Sequence, residues 1–147
     1  MCPTTELAIA PARAILISDQ HYCSHACYHL FSSLLQESCK LSSLSLAGNT
    51  RISNVGAGSL LIAANSSKAL QKLNLSACGV TSPLDAAFFE ALKTLTFQNN
   101  GSLTELDLSH NLISVVDKER LAEEWELNST GESLSRLKDN LCIFTKL

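Results

Sequence analysis

The residues best suited to chemistry are two cysteines and three histidines within the stretch His21–His29. Thiolate and imidazole groups are the usual zinc ligands, so this stretch is a candidate metal site. On a helix Cys23 and Cys27 share one face, whereas His25 and His29 share another that lies roughly 200° away. Because four ligands cannot converge without a break in that helix, we predict no metal here. The expected alternative places Cys27 in the core, Cys23 at a turn and the histidines in solvent.

Catalytic motifs are absent from the chain. It has no Gly-rich phosphate loop, no G-x-S-x-G elbow and no H-E-x-x-H pair. Asp107 and His110 fall on opposite sides of a strand end and have no nucleophile beside them. Four glutamates lie near Trp125 in the sequence and indicate a solvated helical face. They are Glu119, Glu123, Glu124 and Glu126. We therefore predict a protein that is not an enzyme and that uses no cofactor.

A phrase of the form L-x-x-L-x-L-x-x-[N/C]-x-[L/I/V] occurs three times, starting at Leu41, Leu70 and Leu103. The first copy departs from it, with Arg51 in the last position and Ile52 one place late. Such a phrase is typical of leucine-rich repeats, which stack on one another and are not sites of chemistry. Its structural positions are Leu44, Leu46, Asn49, Leu73, Leu75, Cys78, Leu106, Leu108 and Asn111.

The spacing of the copies predicts the fold class. Successive copies start 29 and 33 residues apart, which leaves room for a strand and a helix, as in ribonuclease-inhibitor-like repeats. Alternation of leucine with polar residues places the leucines on one face of each strand. We predict an α/β leucine-rich-repeat solenoid, a horseshoe segment with short parallel strands on the concave face and helices on the convex face. A degenerate copy from Ala12 brings the number of repeats to about four.

The segments between the phrases are expected to be helices. Ser82-Pro83-Leu84-Asp85 reads as a capping box with Pro83 as the first helical residue, and Ser114 begins a second box. Two further helices are predicted over 28–39 and 56–64. Leu92 and Leu95 also fit the phrase, but they lie too close to Leu103 for a separate repeat and are assigned to the preceding helix, with an exit loop over 99–102.

The repeat pattern divides the chain into three predicted regions. Residues 1–11 form an irregular N-terminal segment, and residues 12–127 form the repeats. Residues 128–147 form a C-terminal helix and tail that cap the array, since Leu134, Leu137 and Leu141 have helical spacing.

Composition and charge disfavour several classes of binding partner. The net charge is −3, and no cluster of lysine and arginine suggests contact with nucleic acid. No apolar run approaches the roughly 20 residues that a membrane span needs, and no secretory signal is visible. The six cysteines are therefore expected to be free thiols in a reducing compartment. We expect another protein as the partner, with no membrane and no small-molecule substrate.

The concave strand face is the candidate binding surface, because solenoids usually bind there. Its predicted exposed positions begin with Ala14, Leu16 and Ser18 and end with Glu105, Asp107 and Ser109, so its character changes along the array from small and apolar to acidic. The alternative is a merely soluble face without a partner. The proposed partner-binding residues are Ser43, Ser45, Lys72, Asn74, Ser76, Glu105 and Asp107.

The repeats resemble a known family. Leu46-Ala-Gly-Asn49 is followed by Leu75-Ser-Ala-Cys78, and the chain closes on Phe144-Thr-Lys-Leu147. This alternation of Asn and Cys, with that ending, resembles the C-terminal leucine-rich repeats of tonsoku-like proteins. The resemblance implies a nuclear scaffold for replication-fork repair and homologous recombination, which binds a large repair scaffold.

The tetratricopeptide and ankyrin parts of that family are missing from this sequence, so histone reading is not carried over. The alternative is a leucine-rich-repeat segment of another intracellular protein, such as a nucleotide-binding immune sensor, in the cytoplasm.

Overall fold

The computed structural model describes residues 14–16, 42–65, 67, 69–97, 103–128, 133–138 and 140–146. The strands are β1 (Ala14–Leu16), β2 (Ser43–Ser45), β3 (Lys72–Asn74), β4 (Glu105–Asp107), β5 (Ser133–Lys138) and β6 (Leu141–Lys146). The helices are α1 (Ser53–Asn65), α2 (Ala86–Phe97) and α3 (Val115–Asn128).

The six strands form one sheet in the order β1-β2-β3-β4-β6-β5. The first four strands are parallel, and Ile15, Leu44, Leu73 and Leu106 lie side by side in the ladder. Each pairing joins equivalent positions of successive copies, so the strand predicted for the degenerate copy is present. This parallel sheet with its helices confirms the predicted leucine-rich-repeat solenoid.

One layer of the core is a row of apolar side chains that crosses the strands. Leu44, Leu73, Leu106 and Phe144 are register neighbours, and each is at most 1% exposed. Full burial of such a side chain contributes about 2 kcal/mol. Because a strand of three residues cannot cover both sides of its own leucine, this burial depends on the neighbouring repeats. The second leucine of each phrase is also buried: Leu46, Leu75 and Leu108.

The helices complete the core from the convex side. α1 packs against α2, and α2 packs against α3. Leu61 of α1 and Phe88 and Leu92 of α2 are buried between them and the sheet. Leu92 therefore belongs to the preceding helix, as predicted. Among the described residues, no helix has the length and apolar character needed to cross a membrane. The predicted helix over 28–39 and the exit loop over 99–102 lie outside the described residues.

The start of α2 corrects the predicted capping box. Ser82 does not cap the helix and Pro83 is not its first residue, because α2 begins at Ala86. Asp85 is the cap, and its Oδ1 accepts a hydrogen bond from the N–H of Phe88 at 2.9 Å. Asp85 was expected to be the third residue of the helix, and the structure places it just before the helix.

Ser82 instead links its repeat to the next one. Its hydroxyl donates to the Asp117 carboxylate at 2.6 Å and accepts from the N–H of Ser114 at 2.7 Å. The same carboxylate accepts from the N–H of Leu84 at 3.0 Å. Hydrogen bonds to a carboxylate are stronger than those between neutral groups, and this favours the link over a local cap. Ser114 does cap α3, since its hydroxyl accepts from the N–H of Asp117 at 3.2 Å.

The C-terminal segment is a β-hairpin, so the predicted C-terminal helix is wrong. β5 pairs antiparallel with β6, and β6 pairs antiparallel with β4. The hairpin thus continues the sheet beyond the last repeat. The spacing of Leu134, Leu137 and Leu141 fits a helix, but it also fits a hairpin. Tertiary contacts determine which of these two structures forms.

Those contacts come from β6 and α3. Cys142 and Phe144 are fully buried, and strand alternation places Ile143 on the opposite face. The Phe144 ring lies 5.7 Å from the ring of Trp125, whose Nε1 donates to the carbonyl of Thr145 at 3.4 Å. An aromatic pair of this kind contributes about 1 kcal/mol beyond its buried area. The hairpin therefore covers apolar surface that the last repeat would otherwise expose.

Each phrase turns at the same point after its strand. Gly48, Ala77 and His110 occupy equivalent positions and have φ angles of 84°, 51° and 57°. Left-handed backbone is costly for residues other than glycine, so the stacked turns impose this geometry on Ala77 and His110.

Asn111 joins two successive turns. Its Nδ2 donates to three backbone carbonyls and its Oδ1 accepts from two backbone N–H groups. The acceptors are Leu75 at 3.0 Å, Leu108 at 2.9 Å and Ser109 at 3.3 Å, and the donors are Cys78 at 2.9 Å and Val80 at 3.1 Å. An amide has both donors and acceptors, which this position requires.

Cys78 occupies the equivalent position in the second copy with fewer bonds. Its thiol donates to the carbonyl of Leu46 at 3.1 Å and to that of Ser76 at 3.4 Å. Burial raises the pKa of Cys78 from 9.0 to about 11. Burial likewise raises the pKa of Cys142 to about 12, and both thiols are free.

We expect Asn111→Ala to lower the free energy of unfolding by about 2–4 kcal/mol, because it leaves partly buried backbone groups of two turns without partners. Urea denaturation of both proteins measures the difference. Asn54→Ala is the matched control, since Asn54 makes two hydrogen bonds to exposed Thr81, both of 2.7 Å. Its loss should be about 1 kcal/mol. Equal losses for the two variants would contradict a special role for Asn111.

The free energy of unfolding should fall as the pH rises above 9. Unfolded thiols ionise there, whereas folded Cys78 and Cys142 stay neutral up to about 11 and 12. Stability from these groups is therefore complete below the unfolded pKa and is lost as pH rises towards the folded pKa. Each thiol should contribute a loss of about 1.4 kcal/mol per pH unit in this window.

Urea denaturation at about pH 8 and about pH 10 tests this slope. A variant with Cys78→Ala and Cys142→Ala should be less stable at the lower pH and should have a shallower pH dependence. An unchanged slope would show that other groups govern the alkaline loss of stability.

Candidate functional site

The predicted binding residues on the strands lie in two rows on the open face of the sheet. The rows cross the strands because the parallel register joins equivalent positions of successive repeats. The first row is Ser43, Lys72 and Glu105, and the second is Ser45, Asn74 and Asp107. We call these six residues the concave face.

The concave face is accessible, unlike the leucine row between its two rows. Lys72 is exposed, and the other five residues are half-buried. Leu73 and its register neighbours point into the core on the opposite side of the sheet. The alternation inferred from the sequence therefore places these side chains correctly.

Asn74 and Asp107 also have a structural role, which the sequence reading missed. Asn74 Oδ1 accepts from the N–H of Ser76 at 2.9 Å, and Asp107 Oδ1 accepts from the N–H of Ser109 at 2.8 Å. These bonds hold the chain as it leaves each strand. A polar residue two places before a turn serine is the sequence signal that would have identified them. Ser76 itself is half-buried within the turn.

Opposite charges meet on the concave face without forming a close ion pair. Lys72 and Glu105 are register neighbours, yet the described residues show no ion pair between them. Asp107 lies on the same strand as Glu105, two positions further on. A charged segment of a partner can therefore approach both carboxylates from solvent, where each exposed contact is worth at most about 1 kcal/mol.

Ser109 corrects the predicted extent of the concave face. It was expected to be exposed, but it is only 2% exposed and its hydroxyl accepts from the N–H of Cys142 at 3.0 Å. The hairpin covers it because β6 lies directly beside β4. Two residues of β6 continue the two rows instead: Thr145 lies next to Glu105, and Ile143 lies next to Asp107. Alternation of buried and half-buried residues along β6 is the signal for these two positions.

No metal site is present in the part of the chain that the structure describes. No group of three or more histidine, cysteine, aspartate or glutamate side chains converges there. The candidate stretch His21–His29 lies outside the described residues. Cys78 and Cys142 are buried with raised pKa values, which disfavours the thiolate that metal binding and nucleophilic attack require.

A depression of about 190 Å³ between α1 and α2 is lined largely by apolar residues, including Val55, Ile62 and Phe88. On α3, Glu119 and Glu123 are exposed, as expected of a solvated face, whereas Asp117 is buried and bonded.

Comparison with known proteins agrees with the fold. Residues 37–61 and 102–123 match leucine-rich-repeat families, described as "Leucine Rich repeat" and "Leucine Rich Repeat". The chain is 38% identical over 120 residues to the human protein "NACHT, LRR and PYD domains-containing protein 5". That alignment covers 81% of this chain and 9% of the human protein, so the chain spans a small part of its relative.

No solved structure matches the chain. These findings support leucine-rich repeats and do not extend to the tonsoku-like family. Leucine-rich-repeat domains are generally non-catalytic modules that bind other proteins. The repeat matches and the parallel sheet together support a leucine-rich-repeat solenoid that acts as a protein-binding module.

Proposed function

We propose that the chain binds its partner protein through the concave face. The observation that carries this proposal is the register of two rows of accessible polar side chains over a fully buried leucine row. Rows of this kind present side chains from several strands to one extended segment. Curved solenoid faces are used in this way because many repeats can contribute to one contact surface.

The acidic end of the concave face determines which kind of partner segment can bind there. Glu105 and Asp107 lie on β4, and Lys72 is the only cation among the six residues that form the concave face. A basic segment of the partner complements this end of the sheet. Such complementarity adds more to association rate and to specificity than to affinity.

Two larger assemblies are candidates for the setting in which this chain binds its partner. The first is a nuclear scaffold for replication-fork repair and homologous recombination, with a large repair scaffold as the partner. Its support is the resemblance carried by Asn49, Cys78 and the C-terminal Phe144. The second is a segment of a nucleotide-binding immune sensor in the cytoplasm. Its support is the 38% identity to a human protein whose name joins LRR with NACHT and PYD domains.

Affinity capture from nuclear and from cytosolic extracts distinguishes these assemblies. The full chain serves as bait, and mass spectrometry identifies the proteins that it retains. Recovery of a fork-repair scaffold with its recombinase from the nuclear extract would support the first. Recovery of cytosolic signalling proteins, without repair proteins, would support the second and remove the nuclear assignment.

Changing the charge of the acidic end should weaken partner capture about tenfold without unfolding the chain. The variant combines Glu105→Lys with Asp107→Asn, because an asparagine keeps the Oδ1 acceptor that Ser109 uses. Asn74 already makes the equivalent bond, so the substitution fits the turn.

The matched control combines Glu119→Lys with Glu123→Gln on the exposed face of α3, which changes the net charge equally. It should leave capture unchanged. Quantitative capture is compared for the three proteins after circular dichroism shows equal folding. Full capture by the Glu105 and Asp107 variant would rule out the acidic end as the interface.

A further inference from the structure

Strand β6 widens the accessible side of the sheet beyond the concave face. It pairs with β4, so Thr145 lies beside Glu105 and Ile143 lies beside Asp107. Both β6 residues are half-buried, whereas the two residues that flank Ile143 are fully buried. Because residues opposite each other in a sheet point to the same side, Ile143 and Thr145 are accessible from the same side as the concave face.

The hydrogen bonds between β4 and β6 bring Ile143 close to Asp107. The N–H of Leu108 donates to the carbonyl of Cys142 at 2.8 Å, so these two residues occupy a hydrogen-bonded position of the antiparallel ladder. The preceding pair, Asp107 and Ile143, therefore occupies a non-hydrogen-bonded position, where the Cα atoms are about 4.5 Å apart and the side chains are closest. Apolar surface thus lies directly beside a carboxylate on the open side of the sheet.

The charged groups next to this pair are available to a partner. Lys72 is exposed on β3, and the part of the chain that the structure describes shows no ion pair between it and the neighbouring Glu105. Asp107 Oδ1 accepts from the N–H of Ser109 at 2.8 Å, which holds that carboxylate in place at the end of its strand. Across three neighbouring strands the accessible side therefore carries a cation, then two carboxylates, then an apolar side chain.

These groups lie on one diagonal of the sheet. Lys72 lies in the first row, and Ile143 lies in the second row two strands further on. With strands about 4.8 Å apart and successive residues about 3.3 Å apart, the diagonal between these two positions is about 12 Å long. Its middle falls on β4 between Glu105 and Asp107. A cation that a partner places there meets both carboxylates.

We propose, building on the function proposed above, that the partner binds as an extended segment along this diagonal. The segment presents an acidic, a basic and an apolar side chain, in that order, at alternate positions. Alternate side chains of an extended chain lie on one side and about 6.6 Å apart, so the first and the last are about 13 Å apart, close to the length of the diagonal. The acidic side chain then meets Lys72, and the basic one meets the two carboxylates. The apolar one covers Ile143.

Charge and burial both favour this occupant. Lys72 repels a basic side chain and the two carboxylates repel an acidic one, so exchanging the two charges of the segment is disfavoured. An apolar side chain over Ile143 removes the accessible part of that isoleucine from water. A segment that lies along β4 alone meets two carboxylates and no apolar group, because Glu105 and Asp107 are the accessible residues of that strand.

NMR titration of the full chain with short synthetic peptides tests the proposal. Each peptide has seven residues, with aspartate, arginine and leucine at the three even positions and threonine elsewhere. Two peptides have a central arginine, one for each chain direction, and two control peptides of the same composition have a central leucine. The better peptide with a central arginine should bind about fivefold more tightly than either control, because only it satisfies all three contacts, and it should shift the methyl signals of Ile143.

Ile143→Thr isolates the apolar contact. Threonine keeps the β-branched shape that a strand accepts, so the hairpin should be retained. The variant should bind the better central-arginine peptide about fivefold more weakly, since it removes apolar surface from the contact. Ile62→Thr is the matched control: Ile62 is 55% exposed on α1, on the convex side, and its replacement should leave the affinity unchanged. Circular dichroism checks the folding of both variants.

Equal affinity for all four peptides, no binding by any of them, or full affinity of Ile143→Thr would overturn the proposed segment. Failure of the proposed function is decided separately, by partner capture with the variant that combines Glu105→Lys and Asp107→Asn. If that variant loses capture and the peptides do not discriminate, the concave face is still the binding surface and the order of side chains is wrong. If that variant retains full capture, the proposed function and the proposed segment are both overturned.

Discussion

Every element of this chain depends on the burial of leucines that no single repeat can bury alone. Leu44, Leu73 and Leu106 each sit on a strand of three residues, and each is covered by the strands on either side and by the helices behind. Stability is therefore a property of neighbouring pairs of repeats. This explains why the register of the strands is uniform, since a slip of one residue would turn each leucine into solvent and bring a serine or a lysine into the core.

The polar contacts follow the same rule. Asn111 bonds within its own turn and also to the preceding turn, and the hydrogen bonds between Ser82, Leu84 and Asp117 cross from one repeat to the next. A local cap satisfies one backbone group, whereas a bond between repeats also fixes the distance and rotation from one unit to the next. The uniform register of the two rows on the concave face accompanies these links between repeats.

The sequence predicted the four parallel strands and their register, because those depend on the repeated leucines, and it predicted the inner faces of the helices from the helical spacing of their apolar residues. It failed where the deciding contact comes from a distant residue. Ser82 looks like a cap until Asp117 of the next repeat is placed beside it. The spacing of the leucines from Leu134 onward fits a helix, and only the contact between Phe144 and Trp125 of α3 indicates a hairpin instead. Ser109 was expected to be exposed on the strand face, because nothing in its own repeat shows that a hairpin covers it.

The hairpin also gives the array a direction. Strands β1 to β4 all run the same way, so the outer edge of β1 has the geometry that one more parallel repeat requires. β6 runs the opposite way, so the regular succession of parallel strands from neighbouring repeats is interrupted after β4. The parallel stacking of repeats therefore has a direction: it is uniform from β1 to β4, and the hairpin replaces it with antiparallel pairing on the far side of β4.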